Sequence, residues 1–313
     1  MSGEMAKRRI GSLEVSLVGL GCNNFGGRID ADRTAEVVDA AIEEGITLFD
    51  TADIYGGTRS EELLGRALGA RRDHVIVATK FGMQVDPERR GAKPEYVRRA
   101  LEDSLRRLGT DRVDLYQLHQ PDPETPIADT LEVLDELVRA GKVREIGCSN
   151  FSAAQLLEAE AAVRDGAARF VSVQNQYSLL ERQPERKVLP ECERSGIAFI
   201  PYFPLASGVL TGKYRRGRPP PPGTRLAGAT VGKPDGPLSD ERLSIVEALE
   251  ELAAKHSHSL LELAIAWLAA RPAVVSVIAG ATSPEQVRAN AKASTWVLTE
   301  SQLEEVDQIA PPA

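Results

Sequence analysis

Short apolar runs, each followed by an amphipathic helical pattern, recur along the chain. The runs are continuous and rich in β-branched residues, which is typical of parallel strands buried on both faces. They lie at 16–21, 46–51, 75–80, 113–119, 143–150, 170–176, 197–203 and 274–280. The first seven begin roughly 30 residues apart, the length of one strand-and-helix unit. The pattern therefore predicts eight strand–helix units.

Helical patterns lie between these runs. They cover 34–44, 60–68, 93–108, 125–140, 153–163, 185–195, 241–255, 259–270 and 284–293. Ser152 has the character of an N-cap, and Gly69, Gly109 and Gly141 follow the ends of three helices, as is common where a helix stops. Start and stop signals thus agree with the hydrophobic periodicity.

Eight such units predict a closed (β/α)8 barrel, the TIM-barrel fold. A barrel of this kind takes about 250 residues, so we expect the 313 residues to form one domain, 1–313. The alternative is an open doubly wound sheet, whose nucleotide fingerprint is G-x-G-x-x-G. Here Asn24 stands where the third glycine should follow Gly19 and Gly21, which disfavours that fold. The segment 208–214 (GVLTGKY) also lacks the spacing of a phosphate-binding P-loop.

Two segments depart from the repeat. Residues 8–15 predict a short hairpin that turns at Gly11-Ser12, ahead of the first barrel strand. Residues 214–238 are irregular and carry four consecutive prolines at 219–222. A long loop of this kind is either a functional lid or a disordered segment. We favour a lid, because the loop follows strand seven on the face where barrel sites form.

Composition excludes several classes of protein. A net charge of −8 with no basic patch argues against a nucleic-acid partner. No stretch of about 18 apolar residues indicates a membrane helix, and no apolar run follows the basic N-terminus to make a signal peptide. Three cysteines without metal spacing, Cys22, Cys148 and Cys192, are typical of reduced thiols. We therefore expect a cytoplasmic protein without a metal; the oligomeric state stays open.

Polar groups follow the apolar runs on the side where barrel enzymes build their sites, the carboxyl ends of the strands. Runs two to eight deliver Asp50 with Tyr55 in the next loop, Lys80, His119, Ser149 with Asn150, Gln174, Tyr202 and Gly280. Burying a polar group without a partner costs free energy. We therefore expect these side chains to interact with one another and with a ligand.

Four of them have the chemistry of a proton donor. A phenol such as Tyr55 has a pKa of about 10, too high for proton shuttling at neutral pH. The ammonium of Lys80 favours the phenolate and lowers that pKa, and Asp50 balances the lysine. His119 can donate a ring N–H to a substrate oxygen. The unit predicts a general acid, although each residue alone is more often structural, with Asp50 capping a loop or Lys80 in a surface ion pair.

The motifs around these residues resemble the aldo-keto reductases. They are, in family order, 49–56 (FDTADIYG), Thr79-Lys80, 115–119 (LYQLH), 147–151 (GCSNF), 174–177 (QNQY) and 204–208 (PLASG). The similarity extends from about Ile10 to Gln308, and an ordered set of this kind is highly specific.

The resemblance implies a barrel that reduces small carbonyl substrates with NADPH, or NADH, without a Rossmann domain. Tyr55 would donate the proton, Lys80 and Asp50 would tune it, and His119 would orient the carbonyl. The cofactor would contact Gly21, Cys22, Asn23, Asp50, Ser149, Asn150, Gln174, Tyr202, Pro204, Leu205, Ala206, Ser207, Gly208, Lys213, Gly280, Ala281, Thr282, Gln286 and Asn290.

The sequence departs from the family pattern at two places. No basic residue stands between Gly280 and Arg288, where many members that prefer NADPH have one, and Phe203 replaces a serine common after the stacking tyrosine. Two other functions stay open. One is a cofactor-sensing regulatory subunit on the same scaffold, and the other is a metal-dependent hydrolase, which would have only one candidate histidine ligand.

Overall fold

A hairpin opens the fold in the computed structural model, which describes residues 5–312. Strands β1 (Lys7–Ile10) and β2 (Leu13–Ser16) pair antiparallel, with Ile10 opposite Leu13. The turn between them uses Gly11 at a φ of 55°, a conformation that glycine adopts without steric cost. The predicted hairpin is confirmed.

Within the described residues, eight parallel strands form the barrel. They are β3 (Val18–Gly21), β4 (Leu48–Asp50), β5 (Ile76–Phe81), β6 (Val113–Leu118), β7 (Val143–Ser149), β8 (Phe170–Gln176), β9 (Ala198–Tyr202) and β10 (Val277–Gly280). Their order is β10-β3-β4-β5-β6-β7-β8-β9, and a parallel bridge between Phe199 and Val274 joins β9 to the segment that leads into β10. Each predicted run overlaps one of these strands, and β5 alone extends past its run, by one residue. The (β/α)8 fold is confirmed.

Helices surround the strands. They are α1 (Ala31–Glu43), α2 (Arg59–Leu68), α3 (Pro94–Leu108), α4 (Ile127–Arg139), α5 (Ala153–Ala161), α6 (Val188–Ser195), α7 (Asp240–Lys255), α8 (Leu260–Ala269), α9 (Pro284–Lys292) and α10 (Glu300–Ile309). Ser152 caps α5 as predicted, with its side chain accepting from the backbone N–H of Gln155. Helix α10 was not predicted, although Thr299 and Gln302 form a capping box that marks such a start.

The irregular segment 214–238 lies across the mouth of the barrel. The side chain of Arg28, from the loop after β3, donates to the carbonyl of Gly223 at 2.7 Å. In the other direction Arg225 donates to the side-chain oxygen of Asn24 at 3.2 Å. Both contacts join this segment, hereafter the lid, to the loop after β3, so the lid covers the face on which the strands end.

Inside the barrel, the inward-facing side chains are apolar earlier in these strands and polar near their carboxyl ends. Because side chains two residues apart share one face of a strand, each strand can place an apolar residue below a polar one. The pairs are Leu48 and Asp50 on β4, Ala78 and Lys80 on β5, and Leu115 and Gln117 on β6. The apolar members pack with the hairpin residues Ile10 and Leu13 in one cluster. Apolar side chains therefore fill the end of the barrel where the strands begin, and polar side chains lie together at the end where the strands finish.

No helix among residues 5–312 is both long and apolar enough to cross a membrane.

Candidate active site

Lys80 and Asp50 form a buried ion pair. Each stands near the carboxyl end of its strand, and the two strands are neighbours. Lys80 Nζ donates to Asp50 Oδ2 at 2.6 Å and to the carbonyl of Thr51 at 2.8 Å. Burial opposes the charge on Lys80, yet the Asp50 carboxylate raises the pKa of the ammonium above its usual value. The lysine therefore stays charged inside the barrel.

Tyr55 lies beside this pair, in the loop after β4. Lys80 Nζ is 5.1 Å from the centre of the Tyr55 ring. Burial raises the pKa of the phenol above its ordinary value; the ammonium lowers it in opposition, and Asp50 adds to the rise. Lys80 acts in the direction expected from the sequence, but the net shift of the Tyr55 pKa is upward rather than downward, because burial outweighs the nearby charge.

His119 faces the same space. Its ring meets Tyr55 edge to face, with centroids 5.7 Å apart and planes at 80°. Burial, aided by Lys80, lowers the pKa of His119 to about 3, so the ring is neutral at physiological pH and carries one N–H. Nδ1 is buried without a hydrogen-bond partner among the described residues. Nε2 is thus the nitrogen that a ligand in the cavity can reach.

The neighbouring strand ends are linked into one wall. Ser149 Oγ donates to the carbonyl of Gln174 at 2.7 Å, and Asn150 Nδ2 donates to the carbonyl of His119 at 2.9 Å. The Tyr202 hydroxyl donates to Asn150 Oδ1 at 2.8 Å. Gln174 Nε2 reaches back to Asp50 Oδ1 at 2.9 Å. The polar groups of β4, β6, β7, β8 and β9 are therefore held by one another.

A cavity of about 720 Å³ extends from Tyr55 and His119 to helix α9. Of the residues predicted from the sequence, it is lined by Gly21, Asn23, Asp50, Tyr55, His119, Ser149, Asn150, Gln174, Tyr202, Pro204, Leu205, Ser207, Gly208, Lys213, Gly280, Thr282, Gln286 and Asn290. Residues distant along the chain thus meet around one space.

The lid side of this cavity carries unusual backbone and positive charge. Ala206 and Ser207 have φ angles of 46° and 59°, which are unfavourable for residues other than glycine. The guanidinium of Arg225 lies 5.2 Å from the centre of the Phe203 ring. Lys213 also lines the cavity. Strained backbone of this kind clusters at ligand sites.

The family model described as "Aldo/keto reductase family" matches residues 17–311. The chain belongs to the aldo-keto reductase family. It is therefore an oxidoreductase of a family that uses nicotinamide cofactors.

Relatives of this aldo-keto reductase have two kinds of name. "Aldo-keto reductase YhdN" of Bacillus subtilis (strain 168) is 36% identical over 310 residues, covering 95% of this chain and 90% of the relative. "Probable voltage-gated potassium channel subunit beta" of Arabidopsis thaliana is 33% identical, covering 95% and 93%. Among solved structures, "aldo-keto reductase AKR11C1 from Bacillus halodurans (holo form)" has a TM-score of 0.83 at 32% identity, covering 99% of this chain and 98% of that one.

Three predicted cofactor contacts of this aldo-keto reductase do not line the cavity: Cys22, Ala206 and Ala281. Cys22 is fully buried, and burial raises the pKa of its thiol well above the usual value. Ala281 is buried and offers its carbonyl to Asn24. Ala206 packs against the apolar core. Lys80 does not line the cavity either, because it lies behind Tyr55 and Asp50.

Sequence reasoning missed some residues of the site. Gln117 lies within the quoted histidine motif, and its side chain donates to Asp50 Oδ1 at 3.2 Å. Asn24 and Arg28 line the cavity from the loop after β3. The sequence pattern there had indicated only the absence of a nucleotide-binding glycine motif. Period-two alternation with Leu115 could have indicated that Gln117 points into the barrel. No sequence signal identifies which lid residue meets Asn24.

Proposed function

We propose that this aldo-keto reductase reduces aldehydes or ketones to alcohols, with NADPH as the hydride donor. The observation that carries the proposal is the enclosed Asp50–Lys80 pair, which lies next to Tyr55 and His119 at one end of a cavity that also reaches α9. A structural barrel gains little from holding a charged pair in that position, because desolvating both charges costs several kcal/mol per ion.

The cavity has the chemistry that a dinucleotide cofactor requires. Ser149, Asn150 and Gln174 offer amide and hydroxyl groups near Tyr55. Among the cavity-lining residues within 5–312, Asp50 is the one acid, and it is bonded to Lys80. Arg28, Lys213 and Arg225 add three cations. The excess positive charge suits the negatively charged pyrophosphate of a dinucleotide.

A bound nicotinamide supplies a hydride to the carbonyl carbon. Tyr55 donates its proton to the carbonyl oxygen as a general acid. The neutral His119 donates a hydrogen bond to the same oxygen and so orients the carbonyl. Lys80 stabilises the phenolate left on Tyr55, and Asp50 keeps the lysine charged and in place. Tyr202 contributes an aromatic face for the nicotinamide ring.

NADH stays the alternative donor because of the α9 end of the cavity. Thr282, Gln286 and Asn290 line it with neutral groups. Arg288 lies 3.3 Å from Glu43 and 3.7 Å from Glu44, so its charge is already engaged. A 2′-phosphate would meet hydrogen-bond donors there rather than a free cation.

Replacing the phenol tests the proposal. Tyr55→Phe should lower kcat for aldehyde reduction by about a hundredfold or more, the usual contribution of a general acid, while the dissociation constant for NADPH stays within about twofold. Tyr116→Phe is the matched control, because that fully buried tyrosine lies outside the cavity. Unchanged turnover in Tyr55→Phe would contradict the assigned role.

A regulatory subunit is the second candidate, motivated by the relatives named potassium channel subunits. It predicts tight cofactor binding with little more than one turnover per chain. Sustained multiple turnover with small aldehydes would exclude it as the sole function. In either case a single domain over 1–313 and a cytoplasmic location remain part of the proposal.

A further inference from the structure

The geometry points to Gln117 as a positioning residue that, together with Gln174, holds the Asp50 carboxylate in the orientation that Lys80 and Tyr55 require. This inference rests on the proposed reduction by Tyr55. It adds a residue that does not line the cavity and acts only through Asp50.

The strand register explains why Gln117 can do this. Gln117 on β6 is the register partner of Lys80 on β5, so both side chains point into the barrel at the same height. Gln117 is fully buried. On the other flank, a Cβ on Gly147 would lie 3.4 Å from Gln117 Cγ and 2.4 Å from Ser172 Oγ. A side chain at 147 would therefore clash with Ser172, while Gln117 packs within ordinary contact distance of the Gly147 position.

The two oxygens of the Asp50 carboxylate accept hydrogen bonds from different partners. Oδ1 accepts from Gln117 Nε2 at 3.2 Å and from Gln174 Nε2 at 2.9 Å. Oδ2 accepts from Lys80 Nζ at 2.6 Å. A carboxylate that rotated away from Lys80 would lose the two amide donors as well, so the amides fix its orientation. They also disperse negative charge that would otherwise act on the Tyr55 phenolate.

The other end of the Gln117 amide argues against a purely structural role. Gln117 Oε1 is buried without a hydrogen-bond partner among the described residues. Leaving a buried acceptor unsatisfied costs stability, and an apolar side chain of similar volume would avoid that cost. The hydrogen bond from Gln117 Nε2 to Asp50 Oδ1 accounts for a glutamine at this position. Asp50 accepts from this amide and pairs with Lys80, and the titratable groups that interact electrostatically with that pair are Tyr55, Cys22 and His119.

Gln117→Met and Gln117→Glu separate this role from simple filling of space. Methionine keeps the volume but removes the donor. We expect kcat to fall on the order of tenfold, the effect of one hydrogen bond to a charged group, with the NADPH dissociation constant within about twofold.

Glutamic acid at position 117 donates an O–H to Asp50 when it is protonated and repels Asp50 when it is ionised. Its kcat should approach that of the wild type at acid pH and decline as pH rises through the titration of the shared proton.

Ser172→Ala is the matched control. Its hydroxyl is buried at the neighbouring register position and has no hydrogen-bond partner in the described residues, so its removal should leave kcat and its pH profile unchanged. Parallel pH profiles for Gln117→Glu and the wild type, with undiminished kcat in Gln117→Met, would overturn the assignment. Because the glutamate variant should regain activity at acid pH, a folding defect in Gln117→Met would not hide the result.

An ultraviolet titration of tyrosinate keeps this inference separate from the proposed function. The difference between wild type and Tyr55→Phe reports ionisation of Tyr55 without any turnover. Loss of the Gln117 donor should move that ionisation to higher pH, because Asp50 then opposes the phenolate more strongly. A wild type that reduces no carbonyl compound would end the proposed function, while an unmoved Tyr55 titration in Gln117→Met would end the role of Gln117.

Discussion

The ammonium of Lys80 lies 5.1 Å from the centre of the Tyr55 ring. Lys80 also donates to the Asp50 carboxylate and to the Thr51 carbonyl, and all three residues are buried. Lys80 therefore has two roles. It stabilises the fold by pairing with the buried Asp50 carboxylate, and it places a positive charge beside the phenol of Tyr55. These two roles can be measured separately.

Lys80→Met should lower the free energy of unfolding by about 3–5 kcal/mol, because it leaves the Asp50 carboxylate buried without its cation. Adding Asp50→Asn to Lys80→Met removes that charge and should restore part of the stability, while catalysis stays low. Urea unfolding of the two single variants and the double variant gives the coupling energy. Strictly additive losses would contradict a compensated pair.

His119 should make the protein less stable in acid. Its folded-state pKa of about 3 lies below the ordinary value of 6.5, so the unfolded chain binds the proton over that interval and the folded chain does not. Stability therefore rises with pH across the interval and levels off above 6.5. His119→Asn should flatten this part of the curve. Urea titrations at several pH values in the interval test it, and an unchanged slope in the variant would argue against a neutral buried ring.

Asp53 should have the opposite effect. Burial, with the Glu61 carboxylate adding to it, raises the pKa of Asp53 from 3.8 to about 7. The folded chain then keeps a proton that the unfolded chain has lost, so stability falls as pH rises through that interval, by about 1.4 kcal/mol per unit at most.

Asp53→Asn stays neutral and should therefore gain stability relative to the wild type as pH rises from about 4 to about 8. Asp165→Asn, at an exposed position, is the control that should show no such trend. A constant stability difference between Asp53→Asn and the wild type across this range would mean that Asp53 titrates normally.

Arg225 should slow the release of the cofactor. It lies over Phe203 and hydrogen-bonds to Asn24 across the cavity. Arg225→Ala removes both the lid contact and a cation facing the cavity, and should weaken NADPH binding about tenfold. Arg216→Ala is the control, because that exposed lid residue pairs with Glu247 at 3.2 Å. Fluorescence titration and stopped-flow release measure the difference, and equal effects of the two variants would contradict it.

Much of the architecture is determined locally. The run 170–176, which opens with Phe-Val-Ser-Val, predicted a strand with the bounds that the structure has, Phe170–Gln176. Helix α10 was missed because its apolar pattern is weak, although its capping box at Thr299 and Gln302 was visible. The side of the barrel on which the site forms also followed from the order of strands and polar residues.

Periodicity and order along the chain are enough to predict that Asp50, Tyr55, Lys80 and His119 stand at or near strand ends. Three other features become apparent in the folded structure: Gln117 supports Asp50, Arg225 of the lid meets Asn24, and burial outweighs Lys80 in raising the pKa of Tyr55. Those outcomes depend on distances between side chains far apart in the chain and on how completely water is excluded. Barrel closure and lid packing set both quantities, and no local pattern encodes them.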